Sequence, residues 1–258
     1  MVLYYLKWQF TPYSHFFSTF SMNFPCEALI FDLDGTLLDT IPAILKTCNL
    51  TLQKYSLPEI NAELTRKFVG DGVAKLVERF LIHTGGTDAY HSLFQDACHT
   101  YADFFAQFCM DGVTPYPGMA DTLHALKKAG LRLGVLTNKD QARAEDNIHG
   151  FFGKGLFDAI YGIKDGRKPK PDITALMDMV RQFGTTPDKC LYIGDTNTDM
   201  QTAQNASIPK VGALWGFRGR EELALFHPEF LLEQPSDILS ILGLARTREQ
   251  ALPVQEVC

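Results

Sequence analysis

Short apolar segments alternate with amphipathic helical segments along most of the chain, and this pattern constrains the fold more than any other feature. Six segments have the length and apolar character of buried strands, at residues 28–31, 131–137, 157–162, 189–194, 210–215 and 229–232. Between the later strands lie helical stretches with apolar residues at i, i+3 and i+4 spacing. Strands that alternate with helices of this length indicate βαβ units and a parallel sheet, which is an α/β fold.

One region lacks this alternation. From Ile41 to about Pro115 no segment has strand character, and four segments have helical periodicity instead. About 75 residues of helix between the first and second strands predict a separate helical subdomain. The expected domains are an extension at 1–25, a core made of 26–40 and 116–243, a helical cap at 41–115, and a polar tail at 244–258.

The amino-terminal segment differs from the rest of the chain. Residues 1–21 are rich in aromatic side chains and contain no acidic residue, and they lack the layout of a secretory signal. We interpret them as an extension outside the fold, with Met22 as a candidate start. A targeting peptide, or a membrane-associated segment, is the alternative.

Composition excludes several classes of protein. A net charge of −6 disfavours nonspecific nucleic-acid binding, and no run approaches the roughly 18 apolar residues of a membrane span. The six cysteines form no CxxC pair and indicate reduced thiols in a reducing compartment. We therefore expect a cytoplasmic protein that binds neither nucleic acid nor membrane. We also expect it to be a monomer or homodimer.

Four polar segments follow predicted strands. They read FDLDGTLLDT (31–40), GVLTNK (134–139), GRKPKPD (166–172) and LYIGDTNTDM (191–200). Ligands of an open parallel sheet bind at the carboxyl ends of its strands, so the side chains of Asp32, Asp34, Thr137, Asp195 and Asp199 can converge there. Four carboxylates in one crevice repel each other, and a hard cation such as Mg²⁺ would relieve this repulsion. Lys168 would add a second positive charge.

A calcium loop is an alternative for segments that contain D-x-D, but the spacing excludes an EF-hand. Such a loop needs Gly at its sixth position and Glu at its twelfth. Counted from Asp32 these positions hold Leu37 and Ala43. Counted from Asp195 they hold Met200 and Ala206. Phosphoryl transfer is the chemistry that the combination favours, because it needs a carboxylate nucleophile, a metal, a cation and hydroxyl donors.

Together the four segments resemble the four motifs of the haloacid dehalogenase superfamily, over residues 26–243. The resemblance implies a Rossmann-like three-layer core with a central parallel sheet and an α-helical cap inserted after the first motif. It also implies roles for individual residues. Asp32 would be the nucleophile that forms an aspartyl-phosphate, and Asp34 the general acid and base. Mg²⁺ would be held by the Asp32 side chain, the Asp34 carbonyl and Asp195.

The remaining implied roles concern the phosphoryl group. Thr137 and Lys168 would bind it, and Asp199 would support the metal ligands or orient Lys168. Three further residues are predicted to contact phosphate or substrate: Gly35, Thr36 and Asn138. Asp34 favours phosphate chemistry, because the dehalogenase branch lacks this second acid. GDTNTD resembles the phosphatase form of the fourth motif more than the phosphomutase form.

The cap segment VGDGVAKLVER (69–79) resembles the glycine-containing specificity loop of phosphoglycolate phosphatases. We therefore predict substrate contacts for Gly70, Asp71 and Gly72, with 2-phosphoglycolate as the first substrate hypothesis. An ordinary turn between helices is the alternative. Nearby cations are candidates for a substrate carboxylate or members of a solvated helix face: Arg66, Lys67, Lys75 and Arg79.

Two other kinds of function stay open at this point. The core motifs do not separate phosphoglycolate phosphatase from a pyrophosphatase, a nucleotidase or a sugar phosphatase. A non-catalytic regulatory protein on the same fold is disfavoured by the intact Asp32 and Asp34. The role of the third acid of the first segment, Asp39, also stays open, and a cap for the helix that starts near Ile41 is one option.

Overall fold

The structure is a computed structural model and describes residues 25–244. Predictions about the extension before residue 25, about Met22 and about the tail after residue 244 concern residues outside this range. Within it, no helix is both long enough and apolar enough to cross a membrane. The five cysteines of this range are free thiols.

A six-stranded sheet forms the centre of the core. Its strands are β1 (Ala28–Phe31), β4 (Arg132–Asp140), β5 (Ala159–Ile163), β6 (Cys190–Gly194), β7 (Lys210–Ala213) and β8 (Phe230–Leu232). They lie in the order β5-β4-β1-β6-β7-β8. Every neighbouring pair is parallel, and Phe31 of β1 pairs with Val135 on one side and Ile193 on the other. The predicted parallel sheet and its six strands are therefore confirmed.

Helices cover both faces of this sheet. Successive side chains of a strand point to opposite faces, so Leu29 and Phe31 pack in one apolar cluster while Ala28 and Ile30 pack in another. The first cluster contains residues of α4 (Met119–Lys128), α5 (Gln141–Phe152) and α9 (Asp237–Ile241). The second contains residues of α6 (Thr174–Phe183) and α7 (Asn197–Asn205). The three-layer α/β architecture is thus confirmed, and a short α8 (Arg220–Ala224) follows β7.

The block between β1 and β4 is helical, as its periodicity predicts. It contains α1 (Ile41–Lys54), α2 (Ala62–Phe68) and α3 (Val73–Phe108), and α3 is interrupted at Gly86, where φ is +70°. These helices share their own apolar cluster, which includes Leu52, Phe80 and Tyr101 and is separate from the two clusters of the sheet. A helical unit with its own buried cluster matches the expected cap.

Two local elements differ from the sequence prediction. A two-residue antiparallel ribbon, β2 (Leu38–Asp39) with β3 (Thr114–Pro115), joins the helical block to the core. Helix α5 was also not predicted, because its sequence QARAEDNIHGFF is largely polar. Its buried face consists of Ala144, Asn147, Ile148 and Phe152, so an asparagine occupies a position where periodicity looks for an apolar residue.

Asp39 lies at the start of the helical block. Its carboxylate accepts a hydrogen bond from the Ile41 amide at 3.2 Å, and α1 begins at Ile41. The first amides of a helix have no partner within the helix, so this contact satisfies one of them. Asp39 thus contacts the first amide of α1 from the position before Thr40, which is the N-cap residue.

Candidate active site

The first acidic segment leaves the middle of the sheet. β1 is fully buried and lies between β4 and β6, and Asp32 follows its last residue with only 6% of its surface exposed. The Asp32 amide donates to the Ile193 carbonyl at 2.9 Å, which extends the ladder by one residue and holds the backbone in place. Because β1, β4 and β6 are neighbours, the polar segments that follow them meet at one edge, as predicted.

Lys170 is the cation at the centre of this cluster. Its Nζ lies 2.6 Å from an Asp199 oxygen and 2.9 Å from Oδ1 of Asp32, and its side chain is only 3% exposed. Lys168, the lysine that the sequence analysis selected, is exposed and contacts none of these carboxylates. The prediction therefore identified the correct loop but the wrong lysine, because the loop between β5 and α6 turns the second lysine of KPKP inward.

Asp199 is saturated by hydrogen bonds. Its Oδ1 accepts from Lys170 at 2.6 Å and from the Tyr192 hydroxyl at 3.2 Å. Its Oδ2 accepts from the amide of Thr196 at 3.0 Å and from the hydroxyl of the same residue at 2.6 Å. A carboxylate offers about four lone-pair sites, so Asp199 has none left. It therefore orients Lys170 and caps α7, and it is not a free metal ligand.

Asp195 is fixed by two donors and by glycines. Thr36 Oγ1 donates to one of its oxygens at 2.7 Å, and the Phe217 amide donates to the other at 2.8 Å. A Cβ on Gly35, whose φ is +88°, would lie 2.2 Å from an Asp195 oxygen. Only glycine fits there, both for its left-handed backbone and for this close approach. Gly35 and Thr36, predicted as phosphate contacts, lie against Asp195 in the structure.

Asp34 has a different charge neighbour from Asp32. Its Oδ1 lies 2.7 Å from Nζ of Lys139, and the Asp34 side chain is 20% exposed. Lys139 itself is 5% exposed at its side chain and also lies 4.9 Å from the centre of the Phe105 ring, which belongs to α3. The two acids of the DLD sequence are thus separated by environment, one deep beside Lys170 and one nearer the cavity beside Lys139.

The cluster carries more negative than positive charge. Four carboxylates, those of Asp32, Asp34, Asp195 and Asp199, face two ammonium groups. Burial raises the pKa of Asp32 to about 7, and the charge of Asp199 adds to this effect. Burial also raises the pKa of Asp195 well above its usual range. These carboxylates need a further positive charge to be ionised together.

The donor set fits a divalent cation. Oxygens of Asp32, Asp195 and Asp199 lie within 4.8 Å of one another. Oδ1 of Asp32 is buried and accepts no hydrogen bond within residues 25–244, and its contact with the Lys170 ammonium at 2.9 Å is an ion pair. Oxygen ligands and an excess of two negative charges suit Mg²⁺. Since Asp199 is saturated, Asp32 and Asp195 are the side chains left to bind it.

The second motif lies on the other side of Asp32. Thr137 is 3% exposed and its Oγ1 accepts from the Lys139 amide at 3.1 Å, so its own hydroxyl proton is left for a ligand. The Asn138 side chain accepts from the Lys170 amide at 2.7 Å and donates toward the Lys170 carbonyl at 3.3 Å. Asn138 therefore holds the backbone of the loop that carries Lys170, and it lines the cavity as well.

A cavity of about 100 Å³ separates the carboxylate cluster from the helical block. Its lining on the core side includes Asp32, Asp34, Thr137, Lys139 and Lys170. The lining from the helical block is mainly apolar: Ile44, Val69, Val73, Leu76, Tyr101 and Phe105. The cavity therefore has a polar wall from the core and a mainly apolar wall from the helical block.

The predicted cap loop contributes to the cavity in part. Gly70 and Gly72 line it, and a Cβ on Gly70 would lie 3.4 Å from Thr196, so the backbone approaches the core closely. Asp71 does not line it: its carboxylate accepts from Thr198 at 2.6 Å and pairs with Arg79 at 2.5 Å. These two partners hold Asp71 beside α7, so its predicted contact with substrate stays a prediction.

The four cap cations also lie elsewhere. Lys67 pairs with Glu63 and Lys75 with Glu78 on the helix surface, and Arg79 pairs with Asp71. None of the four, Arg66 included, lines the cavity. The solvated-face interpretation therefore holds for Lys67 and Lys75.

Two cations of the site were missed in the sequence. Lys170 could not be separated from Lys168, since both stand before a proline. Lys139 carried a readable signal, because it follows Thr137 by two residues on β4 and side chains two apart share a strand face. Tyr192 and the Phe217 amide, which hold Asp199 and Asp195, had no comparable signal.

Comparisons with known proteins agree with this geometry. Residues 29–213 match the family model described as haloacid dehalogenase-like hydrolase. The chain is 28% identical over 244 residues to phosphoglycolate phosphatase of Salmonella typhi, covering 88% of this chain and 96% of that protein. It is 30% identical over 218 residues to pyrophosphatase PpaX of Bacillus velezensis, covering 84% and 96%. A crystal structure of a predicted phosphoglycolate phosphatase from Haemophilus somnus superposes with a TM-score of 0.78 at 25% identity, covering 84% of this chain and 98% of that one.

Proposed function

The chain belongs to the haloacid dehalogenase-like hydrolases and is a phosphomonoester hydrolase, and from this premise we propose that it is a Mg²⁺-dependent phosphatase of 2-phosphoglycolate. The observation that carries the proposal is the separation of Asp32 and Asp34 at one strand end. One acid lies beside Lys170 and the other beside Lys139. Two carboxylates in different environments can take the two different roles that ester hydrolysis needs.

In the first step, an Asp32 oxygen attacks phosphorus and the bond from phosphorus to the ester oxygen breaks. Asp34, in its protonated form, donates its proton to the leaving oxygen, so that the alcohol departs neutral. Lys170 and the Thr137 hydroxyl bind oxygens of the phosphoryl group as it transfers. The product on the enzyme is an aspartyl-phosphate at Asp32.

In the second step, water hydrolyses this intermediate. The Asp34 carboxylate accepts a proton from the water as the water oxygen bonds to phosphorus. The bond between phosphorus and Asp32 then breaks, which restores the carboxylate and releases inorganic phosphate. Lys139 donates to Oδ1 of Asp34 at 2.7 Å and so holds the Asp34 side chain in position for this step.

Mg²⁺ would be held by the side chains of Asp32 and Asp195 and by the Asp34 carbonyl, with Asp199 and Lys170 supporting Asp32. When bound, the ion neutralises charge on the phosphoryl oxygens and on the nucleophile. Thr36 and the Phe217 amide keep Asp195 oriented for this role.

The cavity supports a small substrate. A volume of about 100 Å³ with an apolar wall suits a glycolate-sized leaving group better than a nucleoside or a sugar. Relatives named phosphoglycolate phosphatase align over nearly their whole length. The relative named pyrophosphatase makes pyrophosphate the second candidate, because it is equally small and also carries a second anionic group.

A substrate panel tests the proposal. With Mg²⁺ present, kcat/KM is measured for 2-phosphoglycolate, pyrophosphate, a nucleoside monophosphate and a hexose phosphate. We expect the highest value for 2-phosphoglycolate. A value at least tenfold higher for another compound would replace the substrate, and no hydrolysis of any compound would support the non-catalytic alternative.

A further inference from the structure

Lys139 borders the space that the leaving group of the substrate would occupy in the proposed reaction. Its ammonium stands between Asp34, on the core side, and the ring of Phe105, on the cap side. Both of these residues line the cavity, as Lys139 does. The leaving group is protonated by Asp34 in the proposed reaction, so atoms attached to the leaving oxygen extend toward this lysine.

Lys139 has hydrogen-bonding capacity to spare. An ammonium carries three N–H donors, and within residues 25–244 the Lys139 ammonium donates to a single acceptor, Oδ1 of Asp34. The contact with Phe105 is a cation–π interaction with the face of the ring, so it is not a hydrogen bond to an acceptor atom. A second anionic group can therefore bind Lys139 without displacing Asp34.

No other cation of the described chain is positioned for this task. The cavity lining contains two cations, Lys139 and Lys170, and Lys170 lies beside both Asp32 and Asp199. The Arg218 guanidinium donates to backbone carbonyls of the cap and pairs with Glu222. The cap wall itself is mainly apolar and offers no positive side chain.

We propose that Lys139 binds the second anionic group of the substrate, a carboxylate in the first instance, and thereby selects small phosphate esters that carry one. The inference rests on the proposed phosphatase function and assigns the specificity of that reaction to a core residue. Lys139 is then a specificity-determining residue that contacts substrate, in addition to its contact with Asp34.

The test compares two esters that differ only at the far end. 2-Phosphoglycolate carries a carboxylate where ethyl phosphate carries a methyl group. We measure kcat/KM for both with the wild-type protein and with Lys139→Met, and take the ratio of the two values for each protein. Both substrates are measured on one preparation, so the ratio is independent of the fraction of Lys139→Met that folds.

Lys139→Met should lower the ratio of phosphoglycolate to ethyl phosphate about 10- to 100-fold, the range for a lost hydrogen bond to a charged group. Lys139→Arg, which keeps the positive charge, should recover part of the ratio. Lys75→Met removes a cap lysine that pairs with Glu78 at the surface, and it should keep the wild-type ratio.

Two results would overturn the inference. Equal losses on both esters in Lys139→Met would mean that the lysine only positions Asp34. A fallen ratio in Lys75→Met with an unchanged ratio in Lys139→Met would assign the carboxylate to the cap. If the wild-type protein instead prefers pyrophosphate, the substrate proposal fails, and the ratio of pyrophosphate to ethyl phosphate tests Lys139 in the same way.

Discussion

The two walls of the cavity have opposite chemistry. The core wall carries charged side chains whose positions are set by hydrogen bonds, such as those from Lys139 to Asp34 and from Lys170 to Asp199 behind the wall. The cap wall consists mainly of apolar side chains from α1 and α3, together with the backbone of Gly70 and Gly72. In the proposed reaction the core wall therefore supplies the reacting groups, while the cap wall excludes water and limits the size of the substrate.

Several of the contacts that join the two walls are polar. Arg218, which follows β7, donates to the carbonyls of Arg66 and Val69 at the end of α2. Thr198 of α7 donates to Asp71, and the Asn138 amide approaches the Gly70 carbonyl at 3.4 Å. Such contacts are of the kind that can break and re-form when a cap opens, whereas the buried core cluster has no such freedom.

The largest expected effect comes from Asp32→Asn. Turnover should fall on the order of 10⁴-fold or more, because an amide cannot serve as the nucleophile. Asp39→Asn is the matched control, since it changes an acid of the same segment whose carboxylate caps α1. It should keep near-wild-type turnover, and steady-state kinetics on both variants checks this. Wild-type turnover in Asp32→Asn would contradict the assignment.

Removal of divalent metal is the next test. EDTA should abolish activity and Mg²⁺ should restore it. Without metal, the free energy of unfolding should decrease as pH rises from about 4 to above 7, because the pKa of Asp32 is raised from 3.8 to about 7 and the fold favours its protonated form. Thermal melts should show a larger Mg²⁺ stabilisation at pH 8 than at pH 5. Activity that persists in EDTA would contradict the metal assignment.

Substitution of two lysines in one loop compares a residue of the buried carboxylate cluster with an exposed neighbour. Lys170→Met should abolish activity and reduce the free energy of unfolding by about 3–5 kcal/mol, because Asp199 loses its buried counter-charge. Lys168→Met, two residues away and exposed, should change that free energy by less than about 0.5 kcal/mol. Urea unfolding and kinetics measure both. Equal effects in the two variants would contradict the distinction between these lysines.

The contacts of the cap should produce the smallest effect. Arg218→Ala removes hydrogen bonds to the cap carbonyls, so KM should rise about 3- to 10-fold while kcat changes less than about twofold. Arg220→Ala is the matched control, because Arg220 pairs with Glu233 and has no hydrogen bond to the cap. A large fall in kcat with unchanged KM would mean that Arg218 supports Asp195 through Phe217 instead.

Much of the fold was predictable because its signals are local. Apolar runs such as 28–31 identify strands by their composition, and the absence of strands from 41 to 115 identifies the helical cap. Helix α5 and the β2–β3 ribbon were not predicted, because each lacks such a local signal. The first buries Asn147, and the second is only two residues long, so neither has a pattern to read.

The carboxylates of the site were predictable, but the cations were harder to assign. Asp32, Asp34, Asp195 and Asp199 directly follow strands or begin the next helix, so the topology of the sheet dictates their convergence. Lys168 and Lys170 share a loop whose path depends on what it packs against. Asp71 likewise has a position that depends on Thr198, a residue 127 positions away.

By itself, the sequence determined the parallel sheet, the helical insertion and the acidic edge with its phosphoryl-transfer chemistry. These follow from periodicity and from the residues at strand ends. Only the tertiary structure decided which lysine enters the cluster, that Asp199 is saturated, and that Lys139 faces the cavity between Asp34 and Phe105. The physical reason is that a buried charge is held by partners from distant segments, and local patterns do not contain them.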